Sequence, residues 1–233
     1  LLKVENLSTG YGKKQVLFDV SFEVNQGDIV LLAGSNGSGK STLLKTIYGL
    51  LPIWNDGKNW FLGENITGKQ TVELLRRGLL YIPQKNNLFE DLTVQENLEM
   101  AGLTLGKKLV KQRIEEVLTT FHVIVAHLKK TPMKLSGGER QLLAITMATL
   151  HHPKLMLLDE PLTGLSPQNI NIVVENLKML KNNSAITIII VEHRVKEVIR
   201  ITDKILGLKL GKITNEIEVN QVFNFNQNNS LFV

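Results

Sequence analysis

The 233-residue sequence has no cysteine. Disulfides and thiolate metal sites are therefore excluded, and a reducing compartment fits. Aromatic residues make up only 6 % of the chain, and its lysines are scattered, as in Lys13-Lys14, Lys107-Lys108 and Lys129-Lys130. No basic stripe with interleaved aromatics marks a nucleic-acid groove, so no nucleic-acid partner is expected. The net charge of +5 reads as a solvated, lysine-rich surface, with attraction to phosphates or to an anionic membrane face as the sharper alternative. No apolar run approaches the roughly 18–20 residues that cross a bilayer. The longest, Ile186-Thr187-Ile188-Ile189-Ile190-Val191, is strand-length. Any membrane role would come through a partner. Lys3 and Glu5 interrupt the start, so no signal peptide is expected, and Leu1 in place of Met reads as a trimmed start. Internal repeats and long heptad runs are also missing. Hydrophobic residues, at 43 %, suffice for the core of one large domain or two small ones.

What is present begins with Gly34-Ser35-Asn36-Gly37-Ser38-Gly39-Lys40-Ser41. It reads GxxxxGKS, a phosphate-binding loop. The glycines let the backbone turn its N–H groups toward one point. Lys40 adds a positive charge for the β- and γ-phosphates, and Ser41 a hydroxyl for Mg²⁺. The flanks agree. Asp28 to Ala33 reads as a buried parallel strand. Thr42 to Tyr48 reads as a helix with Leu43, Leu44 and Ile47 on one side and Gly49 ending it. A strand, a glycine-rich turn and a helix N-terminus together form an anion site.

The rest of the chain alternates between strand and helix patterns. Leu2 and Val4, then Val20, Phe22 and Val24, alternate with polar residues as antiparallel strands do. Asn25-Gln26-Gly27-Asp28 reads as a turn. Thr93 and Glu96 have capping-box spacing, and Val110, Ile114, Val117, Leu118 and Phe121 follow a helical period, so residues 85–135 read as a helical insertion. Ser136 and Glu139 repeat that spacing ahead of a helix expected to reach His151. Leu155 to Leu158 and Ala185 to Val191 read as buried strands. Ser166-Pro167 places a cap and a first-turn proline before a helix that buries Ile170, Val173, Val174 and Leu177. Val195, Val198 and Ile199 indicate a short helix. A hairpin is expected around Gly211-Lys212. Residues 218–233, rich in Asn and Gln, read as a loose tail behind a single domain over 1–217.

Two further motifs carry chemistry. The apolar strand Leu155-Met156-Leu157-Leu158 ends in Asp159-Glu160. Asp159 suits a carboxylate that holds Mg²⁺ directly or through water. Glu160 is expected near the γ-phosphate, where a carboxylate can orient or deprotonate water. Leu135-Ser136-Gly137-Gly138-Glu139 sits at a helix N-terminus, which favours anions. Two anion sites do not easily serve one nucleotide within one domain, so Ser136, Gly137, Gly138 and Glu139 are expected to close on ATP held by another subunit. His122, His127, His151 and His152 have no such context, and Trp54 and Trp60 read as packing residues.

The order of these motifs resembles the ATP-binding-cassette (ABC) ATPases of transporters, over nearly the whole chain to about Ile217. The resemblance implies an α/β fold: a P-loop NTPase core with an antiparallel β subdomain and an inserted α-helical subdomain. Tyr11 resembles the family's aromatic that stacks on adenine. Gln84, in Tyr81-Ile82-Pro83-Gln84, resembles the glutamine that senses Mg²⁺ and the γ-phosphate, and His193 resembles the switch histidine. On this reading Glu160, His193 and Gln84 carry catalysis. Tyr11, Gly34 to Ser41 and Thr42 bind the nucleotide, while Ser41, Gln84 and Asp159 hold the metal. Ser166 stands where many members have aspartate, a residue that helps couple two ATP sites. Gly164-Leu165-Ser166-Pro167, Leu7 to Gly12, Asn87-Leu88-Phe89 and Asn97-Leu98 resemble the ATPases of branched-chain amino acid importers.

The resemblance implies ATP and Mg²⁺ as ligands, a second ABC ATPase subunit in a homodimer or heterodimer, and transmembrane permease subunits. An external substrate-binding protein is implied if the system imports. The chain would lie on the cytoplasmic face of the membrane, held there by its partners. A lipid or polysaccharide exporter, or a soluble ABC ATPase switch without a membrane partner, remain as alternatives. A DNA-repair or ribosome-associated cassette is disfavoured, because such proteins carry coiled coils, zinc sites or tandem cassettes.

Overall fold

Alternation sets the first two strands of the computed structural model, which describes residues 1–85 and 87–219. In Leu2–Tyr11 (β1) and Lys14–Val24 (β2), Leu2, Val4, Val20, Phe22 and Val24 are buried between exposed Lys3, Asp19, Ser21 and Glu23. Their pairing shifts register between Val4 and Leu7. Asn6 takes a φ of 48° there, so the alternation stops at a bulge.

Ile29–Ala33 (β3) leads through the glycine-rich turn into Lys40–Ile47 (α1). The helix begins two residues before the expected Thr42 because Gly39, not a side-chain cap, opens it with a φ of 106°. Lys58–Phe61 (β4) and Glu64–Asn65 (β5) complete an antiparallel sheet in the order β2-β1-β4-β5. Thr71–Arg76 (α2) and Leu79–Ile82 (β6) follow. None of these last four elements stands out as a periodic pattern.

Val94–Ala101 (α3), Lys107–Thr120 (α4) and His122–Val125 (α5) form the helical part. Both expected capping boxes are present, at Thr93/Glu96 and at Ser136/Glu139. The second opens Gly137–Thr149 (α6), which stops two residues short of the expected His151. Asn97, fully buried, pins the segment before α3. Its amide donates to the carbonyls of Phe89, Leu92 and Thr93, and its carbonyl accepts the Phe89 N–H.

Leu155–Asp159 (β7), Pro167–Ser184 (α7) and Thr187–Val191 (β8) come next. Ser166 caps α7 through the Asn169 N–H. Ala185 ends α7 with a φ of 49°, so β8 begins later than the expected Ala185. Val195–Val198 (α8), Lys204–Lys209 (β9) and Lys212–Glu218 (β10) close the described chain. The hairpin turn is Leu210-Gly211, both at positive φ, rather than Gly211-Lys212. Strand β10 ends at Glu218, and the Val219 N–H reaches the Asp203 carbonyl at 2.7 Å. From residue 220 onward the expected tail lies outside the described residues.

The second sheet has the order β10-β9-β3-β8-β7-β6. Its strands run parallel except β10. Both faces of its centre are covered. Ile29, Leu31, Met156, Leu158, Ile188 and Ile190 pack toward the core that α6 and α7 line. Val30, Leu32, Leu155, Leu157, Ile189 and Val191 pack toward α1 and the antiparallel sheet. Double coverage explains why these strands read as unbroken apolar runs.

Candidate active site

The parallel register brings four strand ends to one edge. Strand β3 delivers Gly34–Ser41, β8 delivers Glu192 and His193, β7 delivers Asp159 and Glu160, and β6 delivers Pro83 and Gln84. In open α/β sheets, ligands settle at the carboxyl ends of the strands. Every expected residue of the phosphate loop, the acidic strand end, the glutamine and the histidine lies at this edge.

Within the loop, Lys40 is 5 % exposed. Its Nζ donates to the carbonyls of Gly34 at 2.9 Å and Ser35 at 3.0 Å. Burial lowers the Lys40 pKa, and the charges of Glu160 and Asp159 oppose that shift. Ser38 Oγ is buried without a partner among the described residues. A buried hydroxyl left unpaired is costly, and a phosphate oxygen would satisfy it. Tyr11, 47 % exposed, ends β1 beside the loop with its hydroxyl 3.4 Å from Thr42 Oγ1. Its ring is free to offer a face to a planar ligand.

Ser41 Oγ donates to Asp159 Oδ1 at 2.7 Å, and the Tyr81 hydroxyl donates to Oδ2 at 3.0 Å. Burial, then the Asp159 charge, raises the Tyr81 pKa, so the phenol stays protonated. No cluster of three or more His, Asp or Glu side chains that could cage a metal occurs among the described residues. One hydroxyl and one carboxylate fit Mg²⁺, which takes few protein ligands and completes its shell with phosphate and water.

Glu160 gathers the remaining residues. Gln84 Nε2 donates to its Oε2 at 2.5 Å, and Thr163 Oγ1 does so at 3.0 Å. His193 Nε2 stands 3.1 Å from Oε1. Glu160 itself has a φ of 51°, unusual for a residue with a side chain. Its N–H bonds to the Val191 carbonyl at 2.9 Å, tying it to β8.

The Ser136 turn is built differently. Its capping box is local: Glu139 Oε2 accepts the Ser136 N–H at 2.7 Å, and Ser136 Oγ accepts the Glu139 N–H at 3.3 Å. The Ser136 N–H is the first cause that holds the Glu139 carboxyl below its usual pKa. A Cβ on Gly137 would meet Leu165, and one on Gly138 would meet Asn169, so the turn packs against the start of α7. Among the described residues, no hydrogen bond joins Ser136–Glu139 to Gly34–Ser41, Asp159 or Glu160. The structure therefore brings together the phosphate loop, Gln84, Asp159, Glu160 and His193, and does not bond Ser136, Gly137, Gly138 or Glu139 to them.

Four side chains near these groups were missed in the sequence. Tyr81 and Thr163 bond to the two acids. His127 Nε2 meets Glu139 Oε1 at 3.0 Å. Glu192, 1 % exposed, follows β8, and burial pushes its carboxyl pKa up. The only available signal was adjacency to a motif, which Tyr81, Thr163 and Glu192 have and His127 lacks. Trp60 donates to Glu5, and Trp54 covers Gly10, as packing residues do.

Known proteins resemble this chain over nearly its full length. Residues 17–163 match the family model described as ABC transporter. A probable branched-chain amino acid transport ATP-binding protein, LivF, of Archaeoglobus fulgidus is 37 % identical over 213 residues, covering 91 % of this chain and 90 % of that protein. The lipopolysaccharide export system ATP-binding protein LptB of Haemophilus influenzae is 34 % identical, covering 97 % and 94 %. A solved dimeric ATP-binding cassette in a post-hydrolysis state, bound to ADP and phosphate, superposes with a TM-score of 0.81 at 25 % identity, covering 94 % and 99 %.

Proposed function

The chain belongs to the ABC transporter family, as an ATP-hydrolysing cassette, and from that premise we propose that it drives import of branched-chain amino acids by closing on ATP with a second cassette. The single observation that carries the catalytic reading is the convergence of Gln84, Thr163 and His193 on the Glu160 carboxylate, beside Lys40, Ser41 and Asp159. Tyr11 stacks on adenine. Lys40 and the loop N–H groups bind the β- and γ-phosphates, aided by Thr42 at the start of α1. Ser41 and Asp159, with Gln84, hold Mg²⁺, which supplies charge neutralisation on the phosphates. Glu160 orients the attacking water and takes its proton as oxygen bonds to the γ-phosphorus. The β–γ bridge then breaks, releasing ADP and phosphate. His193 donates to a γ-phosphate oxygen.

Ser136, Gly137, Gly138 and Glu139 cap the nucleotide of the partner cassette. The exposure of Ser136 at the N-terminus of α6 supports this. ATP then favours a closed dimer, because each triphosphate gains donors from both chains. Hydrolysis removes that link. A permease docks at the apolar depression of about 290 Å³ lined by Leu75, Leu80, Pro83, Leu88, Phe89 and Met147. It adjoins Gln84, so docking and the γ-phosphate act on one segment. The chain thus sits on the cytoplasmic membrane face, held by that permease; no described helix is long and apolar enough to span a bilayer.

The likeness to LivF favours import, with an external substrate-binding protein. The likeness to LptB supports a second reading, lipid or polysaccharide export. Reconstitution with the co-purified membrane subunits decides between them. Import predicts ATP-dependent uptake of labelled leucine when the binding protein is supplied. ATP-driven extraction of a membrane lipid without leucine uptake would replace that reading.

A further inference from the structure

Glu192 is a buried acid with no part in the chemistry above. Its two carboxylate oxygens face two different loops. Oε1 accepts the Leu162 N–H at 2.6 Å. Oε2 accepts the His193 N–H at 3.0 Å and the Arg194 N–H at 3.4 Å. Leu162 belongs to the loop that leaves Glu160, and His193 to the loop that leaves β8. The charge that acts on it is the Glu160 carboxylate, which adds to burial in raising its pKa, while the Arg194 guanidinium donates to the Leu165 carbonyl at 3.1 Å. One side chain therefore clasps the loop of the proposed base to the loop of the proposed switch histidine.

The clasp also bears on strain. Glu160 holds a φ of 51°, and such a conformation persists only where its surroundings over-determine it. The Val191 carbonyl fixes the Glu160 N–H, on one side of that residue. Glu192 fixes the Leu162 N–H, on the other. We propose that Glu192 is a positioning residue for hydrolysis, setting the placement of the Glu160 carboxylate against the His193 ring. Burying a carboxylate is expensive unless N–H donors surround it, and here the donors are the backbone of both functional loops. The inference rests on Glu160 and His193 flanking the γ-phosphate.

The test uses the full chain with Glu192→Ala and Glu192→Gln, reading ATP turnover, affinity for a fluorescent ATP analogue, and thermal melting. Displacement of a catalytic group by about 1 Å can cost ~10²-fold. Glu192→Ala should therefore lower kcat by about 10–100-fold while KM and analogue affinity stay within about twofold. Glu192→Gln keeps an oxygen for Leu162 but turns a donor toward the His193 and Arg194 N–H groups. It should lower kcat by about 3–10-fold, again without loss of affinity. Unchanged kcat in Glu192→Ala overturns the proposal, as does a loss of kcat and affinity together that tracks melting. If Glu192→Ala does not fold, unchanged kcat in Glu192→Gln overturns it. Glu160→Gln measured alongside separates the two levels. Normal turnover by that variant removes the reading of the pair, and the role of Glu192 with it. Slow turnover by it beside normal turnover by the Glu192 variants removes only the role of Glu192.

Discussion

The edge cluster and the Ser136 turn, both proposed to meet phosphate, are held in opposite ways. At the edge, contacts are long-range: Ser41 and Asp159 are 118 residues apart, Gln84 and Glu160 76. Lys40, Ser41, Asp159, Gln84, Glu160 and His193 already have partners, so nucleotide must exchange one set of bonds for another. The Ser136 turn satisfies itself within four residues and leaves its serine exposed. The first arrangement can sense what occupies it, because occupancy rearranges bonds between strands. The second is already formed within its own chain, which suits the proposed role of meeting a ligand brought from outside. In this reading hydrolysis belongs to the edge and closure to the turn.

The largest effect that sharpens the contrast is Glu160→Gln. It should retain ATP and slow turnover by about 10²–10⁴-fold, read as single-turnover phosphate release. Normal hydrolysis would move the base elsewhere. Lys40→Ala should come next. It removes a buried cation from the phosphates, for which a loss of ~10²-fold in ATP affinity is expected, measured by calorimetry. Unchanged affinity would show that the loop N–H groups alone bind the triphosphate.

Legibility in the sequence follows the same divide. Local devices read directly: Thr93/Glu96, Ser136/Glu139 and Ser166-Pro167 each announce a helix start, because a cap needs only three or four consecutive residues. Apolar strands β3, β7 and β8 read as buried, since both their faces are covered. Leu79–Ile82 did not read as a strand. Four residues carry too little pattern, and pairing with β7 supplies what the chain alone does not. The same holds for Tyr81, which bonds to an acid 78 residues away, and for Asn97, whose amide ties down a loop. Gln84 and His193 were legible only through family likeness. Their meeting at Glu160 is a product of sheet register.

Ser136→Arg breaks the comparison from the other side. If the turn is a closing surface, an arginine there costs the dimer about 2 kcal/mol or more, roughly 30-fold, as central interface positions do. Monomer affinity for ATP should stay unchanged, because among the described residues no hydrogen bond joins Ser136 to the edge. Sizing with ATP in the Glu160→Gln background reads this directly. Dimers that persist would take closure away from the turn.

The smallest effect concerns the turn's own construction. Glu139→Ala deletes one half of the capping box and the contact with His127, and should cost about 1 kcal/mol of stability, read as a shift in melting. Glu139→Gln keeps an oxygen for the Ser136 N–H and should cost less. The carboxyl pKa is lowered in the fold. Its contribution is therefore present above the ordinary glutamate pKa and fades as pH falls through the lowered one. Below neutral pH, the gap in melting temperature between the native chain and Glu139→Gln should narrow over that acid window. A gap that stays constant down to the acid limit would mean the charge on Glu139 does not matter, and that the turn is held by Ser136 and its packing on Leu165 and Asn169 alone.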